Sequence, residues 1–484
     1  MYDTIVIGQD ISSLLAAVIS ARQGLKTALV REGAPLECFR MGNYTFNVDP
    51  FPWSGFGDTQ FLGRLLREWN TPSSVLSRVA PLNPSLQIIH PRHRLDLFLE
   101  REELLQDLVR EFPEEKEGIE RLYRKALKDN LFLDQHLTGF ASLSLQSLQD
   151  SMKNRMARVE AMVTREILFS SRFSRTLPKN SLPRNLLEAG CFVLSNLQIG
   201  ERVPLVTARL LILPLMGTYY FQGGKHLFLQ CLDERFESLR GDLIEGGAVS
   251  DIQPGTKVEM KIRRGGQDTT IIGRQLLVST KWPGLRSMIF RERRFRRFKE
   301  TLERLEGTLY PFTIHLGIDE KGIPERMSEY VVVIPDGQSS LHGRLVFLET
   351  SATGDTELAP SGKRSLSATV FLDRLATELD DNVLEGVSQT ILERLRGFLP
   401  FLEENINVMS LQDSIRLCRL RTPVVNPKYR FKKMPDLGIF KMTGRTPLKN
   451  VFMTGGFILP GLGFEGEILS GIQAGRLATG GLDA

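Results

Sequence analysis

The sequence predicts an α/β fold of two domains, one built on a parallel sheet and the other an α+β domain inserted within it. Three observations carry this reading. The chain opens on an apolar run, Tyr2 to Ile7, which meets Gly8 and passes at once into a helical pattern from Ile11. Toward the other end, Asn450 to Thr454 runs in the same manner into Gly455 and Gly456. Between the two lie amphipathic helices and alternating strands, with no internal repeat and no low-complexity linker. A chain of 484 residues is long enough for two or three domains and a large core.

Taken in order, residues 2–7 read as a buried strand and 11–23 as a helix that packs through Ala16, Ala17 and Ala21. Gly24 ends that helix, and Lys26 to Val30 makes the second strand. Such a βαβ start gives parallel strands with a right-handed crossover, the Rossmann-like scaffold of a dinucleotide site. Its phosphate loop is altered. In G-x-G-x-x-G the first glycine makes the turn, the second admits the pyrophosphate and the third lets helix and strand pack. Here only Gly8 remains, with Asp10 at the second position and Ser13 at the third.

From about 100 to 215 the pattern is helical, rich in Leu, Glu, Lys and Arg. Gly223-Gly224 opens another helix, and Gly247 to Ile252 reads as a strand. Lys257 to Ile262 and Thr269 to Leu277 alternate around Gly265-Gly266 as a hairpin, and Leu276 to Thr280 returns to the core. A basic helix is expected over 286–305, strands over 306–350, a helix over 381–398 and a final helix from near Gly466.

The bulk numbers exclude little. With 42% hydrophobic and 25% charged residues, the composition is that of an ordinary soluble globular protein. A net charge of +5 is too slight to argue for nucleic acid, and none is expected as a partner. Cys38, Cys191, Cys231 and Cys418 lie far apart without a C-x-x-C pair, which suits a reducing cytoplasm. No signal peptide is read, because the first apolar run is a strand without a basic leader. The longest apolar stretch, Leu210 to Phe221, is broken by Pro214 and Gly217. It is shorter than the roughly 20 residues a spanning helix needs.

Several segments together resemble the flavin-dependent amine oxidase and phytoene desaturase family. They are the N-terminal βαβ, Phe221-Gln222-Gly223-Gly224, Val249 to Ile252, Val278-Ser279-Thr280, Leu358 to Lys363, and Pro460-Gly461-Leu462-Gly463-Phe464-Glu465-Gly466. The resemblance spans nearly the whole chain. It implies a discontinuous FAD/NAD(P)-binding-like domain over 1–99, 216–285 and 411–484, with a substrate domain over 100–215 and 286–410. It further implies an extended FAD. Adenosine would lie near the second strand and Val249, the pyrophosphate at Gly8, Asp10 and Ser13, and the isoalloxazine beside Gly455, Gly456, Gly461, Gly463 and Gly466.

The sequence departs from the family pattern at three of those points. The acidic residue that should end the second strand falls on Arg31, with Glu32 one step later. Leu36-Glu37-Cys38 occupies the place of the expected Gly-Gly-Arg, and the C-terminal Gly-Asp is Gly455-Gly456. A helix N-terminus attracts phosphate through its unpartnered N–H groups and its dipole. Asp10 followed by Ser12 and Ser13 is a strong N-cap that can accept those same bonds. A phosphate brought within about 4 Å of Asp10 costs about 4 kcal/mol per charge pair at an effective dielectric near 20. Losing the charge-assisted ribose bond removes a further ~1.5–3 kcal/mol. Two readings stand: FAD in an altered pose with Arg31 on a phosphate (an NADP-like ligand being a variant of it), or a scaffold with its cradle closed.

Other chemistry is sparse. His90 and His93 are close, but the remaining histidines are scattered without acidic neighbours at ligand spacing, so no metal is expected. No Gly-x-Ser-x-Gly elbow or P-loop occurs, and no catalytic acid or base stands out. The basic, Phe-interleaved run within 286–299 suits either an anionic membrane surface or a solvated helix whose phenylalanines face the core. Arg165, Phe169, Arg172, Phe173 and Arg175 form a weaker pattern of the same kind. Leu210 to Met216 suits a substrate channel or plain core. The expected function is a desaturase-like or amine-oxidase-like oxidoreductase acting on an apolar, isoprenoid-type substrate. The alternatives are a cofactor-free protein that binds an apolar ligand or prenylated partner, and an inactive subunit paired with an intact homologue.

Overall fold

The computed structural model describes residues 1–33, 38–49, 51–141, 177–178, 181–198, 204–290, 295–334, 345–422, 425–432 and 444–480. The first strand, β1 (Tyr2–Ile7), lies between β2 (Thr27–Glu32) and the strand Gln267–Ser279 and runs parallel to both. Asp242–Pro254 extends the sheet parallel to β2, and Val451–Thr454 extends it parallel to Gln267–Ser279. The far halves of the two long strands are bridged by the antiparallel Val258–Arg264, so a β-ribbon grows out of a parallel core. Ile5, Val6 and Ile7 are fully buried, as a parallel strand covered on both faces must be.

The helix α1 (Ile11–Arg22) packs on the C-terminal helix Gly463–Gly480. Their approach is close enough to exclude side chains. A Cβ on Gly471 would lie 2.5 Å from the Ser12 carbonyl oxygen, and one on Gly475 would lie 2.8 Å from Ile19 Cβ. Ala16 and Ala17, both fully buried, keep α1 equally slim.

The second sheet runs Ile406–Met409, Leu305–Asp319, Lys363–Leu372, Val346–Thr350, Tyr330–Val333, Leu86–His90, His93–Leu97. Its pairings are antiparallel except between Tyr330–Val333 and Leu86–His90. Helices Asp381–Phe398 and Leu411–Leu420 share an apolar core with it. The helical stretch comprises Arg101–Glu111, Lys116–Ala141, Leu182–Leu194 and Pro204–Met216. Arg209 on the last of these is fully buried. Its guanidinium holds Glu465 Oε2 at 2.9 Å and Asn130 Oδ1 at 2.8 Å, tying two helices to the start of the C-terminal one.

The α/β class with a parallel sheet and an α+β insertion is as the sequence predicted. Two local readings change, and one of two open readings is placed. Within the basic stretch over 286–305 the described helices are Gly284–Phe290 and Arg296–Leu302, and helix stops short of 305 because Leu305 already pairs with Phe431 as a strand. The final helix starts at Gly463, where a φ of 55° makes the turn out of Pro460–Leu462. Leu210 to Met216 is helical and its residues 210–213 belong to the main core. Residues 291–294 and the pattern over 165–175 lie outside the described residues. Phe295 is buried, and Arg296 pairs with Glu300 at 3.1 Å. Among the described residues no helix is long and apolar enough to cross a membrane.

Candidate functional site

The turn after β1 brings Gly8, Asp10 and Ser13 together. Asp10 is the N-cap of α1, in extended backbone geometry. Its Oδ1 accepts from the Ser13 N–H at 2.9 Å, from Ser13 Oγ at 2.8 Å and from Ser12 Oγ. Its Oδ2 accepts from Ser279 Oγ, at the end of the neighbouring strand. Burial alone would raise the Asp10 carboxyl; the Lys281 ammonium and these donors outweigh it and hold it below its ordinary range. Ser13 also fills the space above Gly8, since a Cβ there would lie 2.1 Å from Ser13 Oγ.

A second cluster forms at the C-terminal glycine loop. Lys281 Nζ lies 3.2 Å from Glu467 Oε1, and both side chains are buried. Asn426 Nδ2 donates to Glu467 Oε2 at 2.9 Å. Burial lowers the Lys281 ammonium, but Glu467 and Asp10 more than reverse this and raise it. The Glu467 carboxyl is pushed up to about 7 by burial and by the like charges of Asp10 and Asp49, against the pull of Lys281. A Cβ on Gly456 would lie 2.6 Å from Asn426 Nδ2, so Asn426 covers the position where the family pattern carries a carboxylate. Gly455 donates its N–H to Ser470 Oγ at 2.9 Å. Gly461, Gly463 and Gly466 are pressed against Val206, the Leu194 carbonyl and the Leu459 carbonyl, respectively.

The adenosine end is paired within the chain as well. Glu32 Oε1 accepts the Val249 N–H at 2.6 Å, and Glu32 Oε2 accepts from Trp282 Nε1 at 2.9 Å. Arg31, expected at a phosphate, is drawn to carboxylates behind the sheet. Its Nη1 donates to Asp233 Oδ2 at 3.0 Å and lies 3.2 Å from Glu245 Oε1. The physical reason is register: Arg31 stands opposite Glu245 in the parallel pair, beside the helix that carries Asp233.

Lys281, Glu467, Asn426 and Ser279 were not singled out as site residues from the sequence. Two signals were present: Glu467 directly follows the last glycine of the Pro-Gly-x-Gly-x-x-Gly run, and Lys281 directly follows Val278-Ser279-Thr280. Among the described residues no group of three or more His, Cys, Asp or Glu is arranged to hold a metal.

An FAD in the extended pose that the resemblance implies would meet each of these contacts. The N-cap is occupied by a carboxylate held in its charged form, and the Val249 amide is already bonded. The turn glycine is overlaid by Ser13. A diphosphate would have to displace an anion that four hydrogen bonds retain.

The fold is nonetheless that of solved amine oxidases. A double mutant of putrescine oxidase superposes with a TM-score of 0.61 at 15% identity, over 100% of this chain and 99% of that one. Cyclohexylamine oxidase from Brevibacterium oxydans gives 0.56 at 13% identity, over 99% and 98%. No family model matches the chain. Its sequence is similar along its length to prolycopene isomerases of chloroplasts. It is 24% identical to that of Daucus carota over 519 residues, covering 99% of this chain and 80% of the relative. With that of Arabidopsis thaliana it shares 22% over 519 residues, covering 99% and 83%. The chain thus resembles the flavin-dependent amine oxidase and desaturase family, as its motifs indicated.

Proposed function

We propose that this chain takes up an apolar, polyene-like ligand within an oxidoreductase fold and does so without FAD on its Gly8 loop. One observation carries the reading: Asp10, an ionised and fully hydrogen-bonded carboxylate, stands at the N-cap where a diphosphate needs to rest. The ligand class is supported by the chain-long similarity to enzymes named for prolycopene, an apolar polyene. The main core is itself rich in aromatic side chains. Trp53 stacks on Phe464 at 4.8 Å and on Phe56 at 5.9 Å, and Phe228 meets Trp53 and Phe56 edge-on.

The second reading, an FAD-dependent oxidoreductase acting on the same class of substrate, is favoured by the same full-length similarity and by the fold. There FAD would supply hydride chemistry. The two readings separate in one experiment. The purified chain is expected to be colourless, to give no flavin on denaturation, and to leave added FAD fluorescence unquenched while binding a polyene in detergent. Stoichiometric flavin in the purified protein would overturn the proposal in favour of the enzyme. Recovery of the chain only in complex with an intact homologue would favour the paired-subunit reading.

A further inference from the structure

The strands Cys38–Met41 and Tyr44–Asn47 form a two-stranded sheet of their own. Among the described residues, one main-chain hydrogen bond outside that ladder joins them to the rest of the fold, from the Thr45 N–H to the Leu358 carbonyl at 2.9 Å. Side chains fasten the hairpin as well. Tyr44 Oη donates to Asn407 Oδ1 at 2.7 Å, Asn47 Nδ2 to Glu349 Oε1 at 3.1 Å, and the Lys225 N–H to Asn47 Oδ1 at 2.8 Å. Met41, Tyr44 and Phe46 make a small apolar cluster with Ala359, apart from the two larger cores. A two-stranded hairpin has little stability of its own, so these few contacts decide whether it stays in place.

Its underside is aromatic, and what it covers is polar. His315, on Leu305–Asp319, stands opposite Ser367 in the antiparallel pair, with Nδ1 3.0 Å from Ser367 Oγ. Both residues are buried. The rings of Phe39 and Phe46 lie 5.2 and 5.0 Å from the imidazole, and a Cβ on Gly317 would come within 2.6 Å of the Tyr44 ring. His315 Nε2 is left without a hydrogen-bond partner, and so is the Nε of nearby Arg421. Arg421 is the charged group that bears on the imidazole; Glu349, one strand beyond Ser367, is engaged by Lys225 and Asn47. A buried polar atom without a partner carries its full desolvation penalty, which water removes once the rings lift away.

We infer that the hairpin over 38–47 is a cover that opens as a unit, while the rest of the fold stays closed, and bares His315 and Ser367 to solvent. The closed form keeps the imidazole neutral, because burial and the Arg421 guanidinium hold it well below its ordinary 6.5. The open form returns it to water. Opening is then favoured by proton uptake, and it grows as pH falls through 6.5. It needs neither FAD nor an apolar ligand.

Amide hydrogen exchange of the purified full chain tests this, read peptide by peptide at pH 7.5 and pH 5.5 and corrected for the intrinsic exchange rate. Residues 38–47 are expected to exchange at least about 10²-fold faster than Lys363–Leu372 beneath them, at a rate that low urea leaves unchanged. Their opening constant is expected to rise about tenfold from the higher pH to the lower. His315→Leu removes both the stranded nitrogen and the titration, so the variant should open less often and show no such rise. A hairpin that exchanges in step with Lys363–Leu372 would overturn the inference. So would an opening constant that ignores pH, or a rise that persists in His315→Leu. Should the variant fail to fold, the wild-type exchange at the two pH values decides alone.

Discussion

Glu32 holds the backbone N–H of Val249 at 2.6 Å and the indole N–H of Trp282 at 2.9 Å, so both of its carboxylate oxygens are used across the sheet edge. A residue one step beyond the expected ribose contact has become a clamp between β2 and the strand Asp242–Pro254.

Truncating that clamp is expected to destabilise the fold. Glu32→Ala leaves the Val249 amide and the Trp282 indole without their acceptor, at a cost of about 1–3 kcal/mol. Urea unfolding of the variant measures it. A change within the error of the wild-type midpoint would show the clamp to be incidental.

Removing the N-cap anion tests the electrostatic argument at the phosphate loop. Asp10→Gly is expected to raise FAD affinity at least about tenfold, which corresponds to about 1.4 kcal/mol. Titration followed by flavin fluorescence reads it, and unchanged affinity would refute the argument. Arg31 is left in place in this design, because Asp233 and Glu245 depend on it for their counter-charge.

The pH dependence of stability follows from Glu467. Its folded value of about 7 lies above the ordinary 4.5. The protonated form is therefore favoured by folding, and the stability it contributes is complete below pH 4.5 and lost as pH rises through about 7. Glu467→Gln removes that dependence. Relative to the wild type, the variant is expected to gain on the order of 3 kcal/mol between pH 5 and pH 8. Denaturant melts at the two pH values check the sign; a variant that loses stability over that interval contradicts it. Asp10, held low, acts in the opposite sense: its contribution is present above the ordinary 3.8 and disappears only in strong acid.

Arg209 and Glu465 give a prediction about packing. Arg209→Met leaves Glu465 buried without its guanidinium, which is expected to cost about 3–5 kcal/mol. Adding Glu465→Gln should recover most of that loss, since the stranded charge is removed. A double variant no more stable than the single one would place the cost in packing instead.

What the sequence disclosed was local. The strand–turn–helix start was legible because β1 ends on the apolar Ile5-Val6-Ile7 and the Asp10-Ile11-Ser12-Ser13 run carries N-cap chemistry within four residues. Arg31 was misleading because its partners, Asp233 and Glu245, arrive from distant segments that only the sheet brings near. Lys281 and Glu467 are likewise strangers until Gln267–Ser279 and Val451–Thr454 pair side by side. The basic stretch beyond 286 reads as helix residue by residue, yet its end is claimed by the strand partner Lys428–Phe431. No local periodicity reports a cross-strand claim.

The glycine-lined contact between α1 and the C-terminal helix makes the two extremities of the polypeptide interdependent. Until Gly471 and Gly475 seat against Ser12 and Ile19, the outer side of α1 has nothing to cover it. A shortened chain lacking Gly463–Gly480 would therefore uncover the face of α1 that carries Ser12, Ala16 and Ile19 and invite aggregation. Removing either helix therefore lays bare the matching side of the other.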